Sequence, residues 1–159
     1  SDSFSLEDLE RNVLWTMNYS DAAPWPSGTD GEGRSLVYAG GSINDPGSWR
    51  PSVEEGGNPG TSDRVPYSEG DSLADYVIGG QEVTPDEAST VRFEVLLNAG
   101  ADDVELTPEW SSNVASWAGD RLILVAQEPL GAGLVKRTWQ MTREPNEERL
   151  FFRVNLERR

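Results

Sequence analysis

From Val91 onward the chain alternates apolar and polar residues with a period of two, and this feature excludes most folds. Val91, Phe93, Val95 and Leu97 alternate with Arg92, Glu94 and Asn98. Val104, Leu106 and Trp110 alternate with Glu105, Thr107 and Glu109. Val135, Trp139 and Met141 form a further set; Leu150, Phe152, Val154 and Leu156 form the last, with Arg153 and Asn155 facing away. Successive side chains of a strand point to opposite faces, so each set predicts one buried and one solvated face. Leu122 to Val125 is a continuous apolar run. Such a run suits a strand covered on both faces or a sandwich centre. Gly119-Asp120, Gly131-Ala132-Gly133 and Pro145-Asn146 supply turns. Five strands at about ten-residue spacing, joined by turn residues, predict an antiparallel β-sandwich. Pro108 lacks an amide to donate, which places its strand at an edge or a bulge.

The N-terminal part is less regular. Val13 to Tyr19 and Ser35 to Tyr38 read as strands. Leu6, Leu9 and Val13 recur at helical spacing and predict a short helix over Leu6 to Asn12, with Ser5 and Asp8 as its start signal. A connector helix is predicted over Asp71 to Ile78, with Gly79-Gly80 as its stop. From Pro24 to Gly60 the chain is dense in Gly, Pro, Asp, Asn and Ser, the composition of turns held by side-chain and backbone bonds.

Charge and missing residue types narrow the function. The 28 acids against 13 basic residues give a net charge of −15. Residues 1–109 carry −17 and residues 110–159 carry +2. Attraction to nucleic acid or to an anionic membrane face is not expected of such a chain. No apolar run reaches the roughly 20 residues that span a bilayer, and Ser1 to Glu10 does not read as a signal peptide. Having no Cys and no His, the chain cannot use disulfides, thiolate-metal sites, thiol nucleophiles or imidazole acid–base chemistry.

Two stretches resemble known modules. The Pro24-Trp25-Pro26 corner, Asp30-Gly31 before Ser35-Leu36, Asn44-Asp45-Pro46 with Trp49, and the Gly56-Gly57-Asn58-Pro59-Gly60 exit fall in order over about forty residues. This stretch resembles the closing half of bacterial lamin-tail domains, which are immunoglobulin-like sandwiches of large secreted proteins. The stretch from Ser72-Leu73-Ala74-Asp75-Tyr76 to Phe151-Phe152-Arg153-Val154, with Ser111-Ser112-Asn113 and Trp117 in a turn, is similar to the module that ends large exported proteins of Planctomycetes and Verrucomicrobia. Pro108 departs from that pattern. Together the resemblances imply an all-β chain of immunoglobulin or fibronectin type in three parts: a lamin-tail-like partial sandwich over 1–63, a connector over 64–80 and a C-terminal sandwich over 81–159. An incomplete sandwich leaves strand edges and apolar surface bare. Residues 1–63 are therefore expected to pack on the C-terminal sandwich or to be completed by another chain.

Candidate chemistry is sparse, and no catalytic residue is assigned. Lys136 sits beside Arg137 in an alternating strand and is expected to face solvent. Glu94, Glu105 and Glu109 could form a carboxylate pair for hydrolysis if brought within about 5–9.5 Å, although a solvated strand face explains them as well. Calcium is the one cofactor the loops could take, through Asp30, Glu32, Asn44, Asp45, Asp102 and Asp103. Asp30 and Asn44 serve equally as turn residues closing their own backbone bonds. Trp25, Trp49 and Trp117 could stack on sugars, although Trp against Pro also pins loops to a core. The expected function is a non-catalytic extracellular or cell-surface module for structure or adhesion. Its partner would be protein, through self-assembly or other parts of the same exported protein, rather than glycan. The alternative is a carbohydrate-binding module attached to a polysaccharide-degrading enzyme.

Overall fold

The computed structural model describes residues 2–87 and 89–159, with the backbone alone at 85–87. β1 (Asp2–Glu7) and β2 (Val13–Tyr19) form a hairpin, β3 (Leu36–Tyr38) and β4 (Trp49–Pro51) a small pair, and α1 (Leu73–Val77) leads into the main strands. These are β5 (Ile78–Glu87), β6 (Thr90–Asn98), β7 (Val104–Ser111), β8 (Ile123–Gly131), β9 (Leu134–Thr142) and β10 (Phe151–Arg158). All strand pairs are antiparallel. The main sheet has the order β5-β6-β9-β8, and β7 pairs with β10 in a separate two-stranded sheet.

The alternation in β6 and β9 sets the core. Phe93 faces Trp139 and Leu97 faces Val135 across the pair. These side chains are buried together with Val95 and Met141. Leu106, Phe152, Val154 and Leu156 of the smaller sheet pack against the same cluster. The Phe152 ring stacks on Phe93 with centroids 5.4 Å apart. The edge placement required by Pro108 is visible in β7. Trp110 donates its amide to Ala118 on the side away from β10. Pro108 lies two residues earlier and faces that same side, where no ladder partner needs its missing N–H.

Two sequence expectations are corrected. No helix forms over Leu6 to Asn12, because Leu6 and Glu7 end β1 and residues 8–12 turn the β1–β2 hairpin. Asp8 Oδ1 accepts the amides of Glu10 at 3.0 Å and Asn12 at 2.8 Å, and Oδ2 accepts the Asn12 side-chain amide at 2.8 Å. Local side-chain capture of backbone amides competes with helix formation; Arg11 takes φ 67° to complete the turn. The same Asn12 side-chain bond, followed by its backbone amide, holds the Asp8 carboxyl below its ordinary pKa. Second, the run Leu122 to Val125 is not a doubly covered strand. It opens the edge strand β8, where Ile123 is 67% exposed. The register shifts between Leu124 and Ala126, so the run straddles a bulge. The connector helix expected to stop at Gly79-Gly80 ends at Val77, just ahead of them. It forms with Ser72 Oγ accepting the Asp75 amide at 3.1 Å, and the glycines continue directly into β5 on the edge of β6.

Residues 24–52 lie against the C-terminal strands. Gln127 Nε2 donates to Pro24 O at 3.1 Å and Pro46 O at 2.9 Å, and the Ser27 amide donates to Gln127 O at 2.9 Å. Arg50 is only 3% exposed. It donates through Nε and Nη2 to both Asp102 carboxylate oxygens at 2.7 Å and through Nη1 to Asp63 at 2.5 Å. Burial alone would lower the Arg50 pKa; the bonds to Asp102 and Asp63 outweigh it and hold it above the ordinary value.

Tyr76 closes the connector. Its single hydroxyl proton is shared between Val65 O and Asp103 Oδ1. Burial first, and the Asp103 carboxylate second, push its pKa up to about 12. An acid whose folded pKa is raised contributes stability that is intact below its unfolded value and is lost as pH rises through the folded one. Stability is therefore expected to fall between the unfolded value of 10.0 and about 12. Arg137, which burial holds down to about 10, acts in the opposite sense over the same range. Comparing the chain with its Tyr76→Phe variant isolates the tyrosine: the variant should lack its share of the alkaline loss in denaturant titrations across that window.

Candidate functional site

The β1–β2 hairpin is the surface most unlike an ordinary exterior. The register pairs Phe4 with Met17 and Leu6 with Trp15, placing these four side chains on one face. Ser5 and Thr16 pair on the other face, where their hydroxyls bond at 2.9 Å. The hairpin is thus amphipathic across its two faces. Its base is fixed: Met17 is buried, and Tyr19, on the same face of β2, meets Trp25 edge-on at 5.3 Å. Toward the tip the apolar face is bare. Phe4 is 56% exposed and Leu9, at the turn, 99% exposed, and Leu6 and Trp15 are also open to solvent.

Asn44 latches the hairpin to the body. Its Oδ1 accepts the Asn18 amide at 2.8 Å and its Nδ2 donates to Thr16 O at 3.2 Å. An asparagine side chain here takes the place of a neighbouring strand and closes the base of the β2 edge. Among the described residues no strand pairs with the other side of β1. Its edge therefore offers backbone groups next to an apolar face.

Of the three tryptophans considered for sugar stacking, Trp25 and Trp49 meet each other and Trp117 lies elsewhere. Trp25 is buried, 6.4 Å from Trp49 with the rings tilted by 41°, and Trp49 also meets Tyr38 at 5.1 Å. Trp49 Nε1 donates to Ile43 O at 2.9 Å, which pins the loop that carries it. Trp117 lies beside the smaller sheet, covered by the Arg153 guanidinium 4.2 Å from its ring centre. Arg153 is held in turn by Glu109 at 2.6 Å.

The oxygen-bearing candidates for calcium are dispersed as well. Asn44 serves the hairpin latch, Asp45 caps the 3-10 turn at Pro46–Ser48, Asp102 pairs with Arg50, and Asp103 accepts from Tyr76. Asp30 and Glu32 are exposed. Among the described residues no group of three or more acids gathers in a metal-holding arrangement. Of the carboxylates considered for hydrolysis, Glu94 lies beside Lys136 and Thr138 on the outer face of the main sheet. Glu105 and Glu109 belong to β7, on the far side of the shared core.

The sequence reading passed over Arg137. It shares the parity of Val135 and Trp139 in β9 and so belongs to their inward face, while Lys136 points outward to Glu128 at 3.0 Å. Arg137 Nη2 donates to Gly47 O at 3.2 Å and Trp49 O at 3.3 Å, but its buried Nε has no acceptor among the described residues. Gln127 lies opposite it across the β8–β9 pair. No family model, curated protein or solved structure matches the chain.

Proposed function

We propose that the chain is a non-catalytic assembly module of immunoglobulin-like sandwich type within a larger secreted or surface protein, joining its partner through the β1–β2 hairpin. The exposed apolar face at Phe4, Leu6 and Trp15 carries this reading. Soluble surfaces scatter single apolar residues, and a contiguous set on a projecting element marks an interaction site. The free edge of β1 adds backbone donors and acceptors, and a strand added there gains hydrogen bonds from the main chain and selectivity from alternate side chains. The partner is a second copy or another part of the same protein. The extracellular setting rests on the two resemblances alone.

Sedimentation equilibrium tests the reading. The chain should self-associate, and Leu6→Glu with Trp15→Glu should weaken association at least about tenfold while leaving thermal unfolding nearly unchanged, because neither side chain belongs to the core cluster. A chain that stays monomeric to about millimolar concentration, the weak end of protein association, would count against it.

A further inference from the structure

We infer that the cavity between the two sheets receives a small monocarboxylate with an apolar tail, its carboxylate held by Arg137. The cavity has a volume of about 520 Å³, within the range of small-molecule sites. Leu97, Val104, Leu106, Leu124 and Trp139 give it apolar walls. Arg137 also lines it, from the inward face of β9, where strand alternation would otherwise set an apolar side chain.

The charge of Arg137 lacks a counter-charge. It makes no ion pair among the described residues, and its buried Nε donates to nothing. Three other acids line the same cavity. Asp45 Oδ1 is engaged by the Gly47 amide, and both oxygens of Asp102 are engaged by Arg50. Glu105 is exposed and makes no ion pair with Arg137. The Nη2 bonds of Arg137 reach only neutral carbonyls, and a half-buried guanidinium with no counter-charge and one buried donor unpaired is costly. A carboxylate in the cavity neutralises the charge, in a bond to the guanidinium stronger than a neutral one. The apolar walls then select among anions. A bare inorganic ion would leave them uncovered, while an acyl tail of moderate length would bury its surface against them.

Calorimetric titration of the unmodified chain with sodium octanoate, 1-octanol and sodium acetate decides the matter. Octanoate should bind saturably at one site. Octanol, which keeps the tail, and acetate, which keeps the charge, should each bind at least about tenfold more weakly. The Arg137→Met variant should lose at least about tenfold in octanoate affinity while still taking octanol, and Arg137→Lys, which keeps the charge but not the planar fork, should bind octanoate more tightly than Arg137→Met. Should Arg137→Met fail to fold, the three-ligand comparison on the unmodified chain still decides. Equal binding of octanol and octanoate would overturn the role of Arg137. Acetate binding as tightly as octanoate would overturn the apolar-tail assignment and leave an adventitious ion only. No saturable binding of octanoate would overturn the site itself.

Discussion

Replacing Arg50 by methionine is expected to lower the unfolding free energy by about 3–5 kcal/mol, the cost of breaking a buried ion pair from one side. The substitution keeps most of the side-chain volume, so the loss is electrostatic. Asp102 would lose two bonds of 2.7 Å and Asp63 one of 2.5 Å. Both carboxylates would remain nearly covered, their side chains 9% and 11% exposed for Asp63 and Asp102. Asp63 would still accept the Val53 amide at 3.0 Å, which compensates little of the missing charge. Urea denaturation monitored by tryptophan fluorescence measures the difference, and the melting temperature should fall by roughly 2–4 °C per kcal/mol for a chain of this size. Adding Asp63→Leu and Asp102→Leu to the methionine variant should recover part of the loss, because an apolar replacement of the whole group leaves no buried charge behind. A loss below about 1 kcal/mol, the scale of an exposed ion pair, would show that water reaches the group.

Phe93→Ala should cost a similar amount, about 3–5 kcal/mol, through lost transfer energy and the void left behind. Phe93 is 1% exposed and touches both sheets: its ring stacks on Phe152 and lies 6.2 Å from Trp139. The consequence reaches beyond stability. Phe93 is where β10 meets β6, so its removal should loosen the β7–β10 pair more than the central β6–β9 pair. Amide exchange should then accelerate first in residues 104–111 and 151–158, with β6 and β9 protected longest. Uniform acceleration across both sheets would instead mean that they open as one unit.

The strands most legible in the sequence are those whose two faces meet different surroundings. β6, β9 and β10 each put apolar residues against one core and polar residues in water, so the period of two is written in the residues themselves. Pro108 was informative for the same local reason. The N-terminal hairpin was hidden because Leu6, Leu9 and Val13 fit a helical spacing while nothing in that spacing registers the Asp8 carboxylate collecting the amides of Glu10 and Asn12. β5 was hidden because an edge strand rich in Gly and Glu shows little alternation. Arg137 could have been found: it lies midway between Val135 and Trp139, at the same parity, and an arginine in an inward series is a charged residue to be accounted for. The pairing of Arg50 with Asp102 could not, since the two lie far apart in the chain and only the fold brings them together.

The bonds from Gln127 to Pro24 and Pro46 have a bearing on how the protein is made. Their partners are separated by 103 and 81 residues. At translation rates of about 5–20 residues per second, Pro24 leaves the ribosome roughly 5–20 s before Gln127. During that interval the nascent N-terminal segment has no sheet to lie on. Its wealth of Gly, Pro and acidic residues suits such a wait, because a segment of that composition collapses poorly and repels its neighbours on the polysome until its platform arrives.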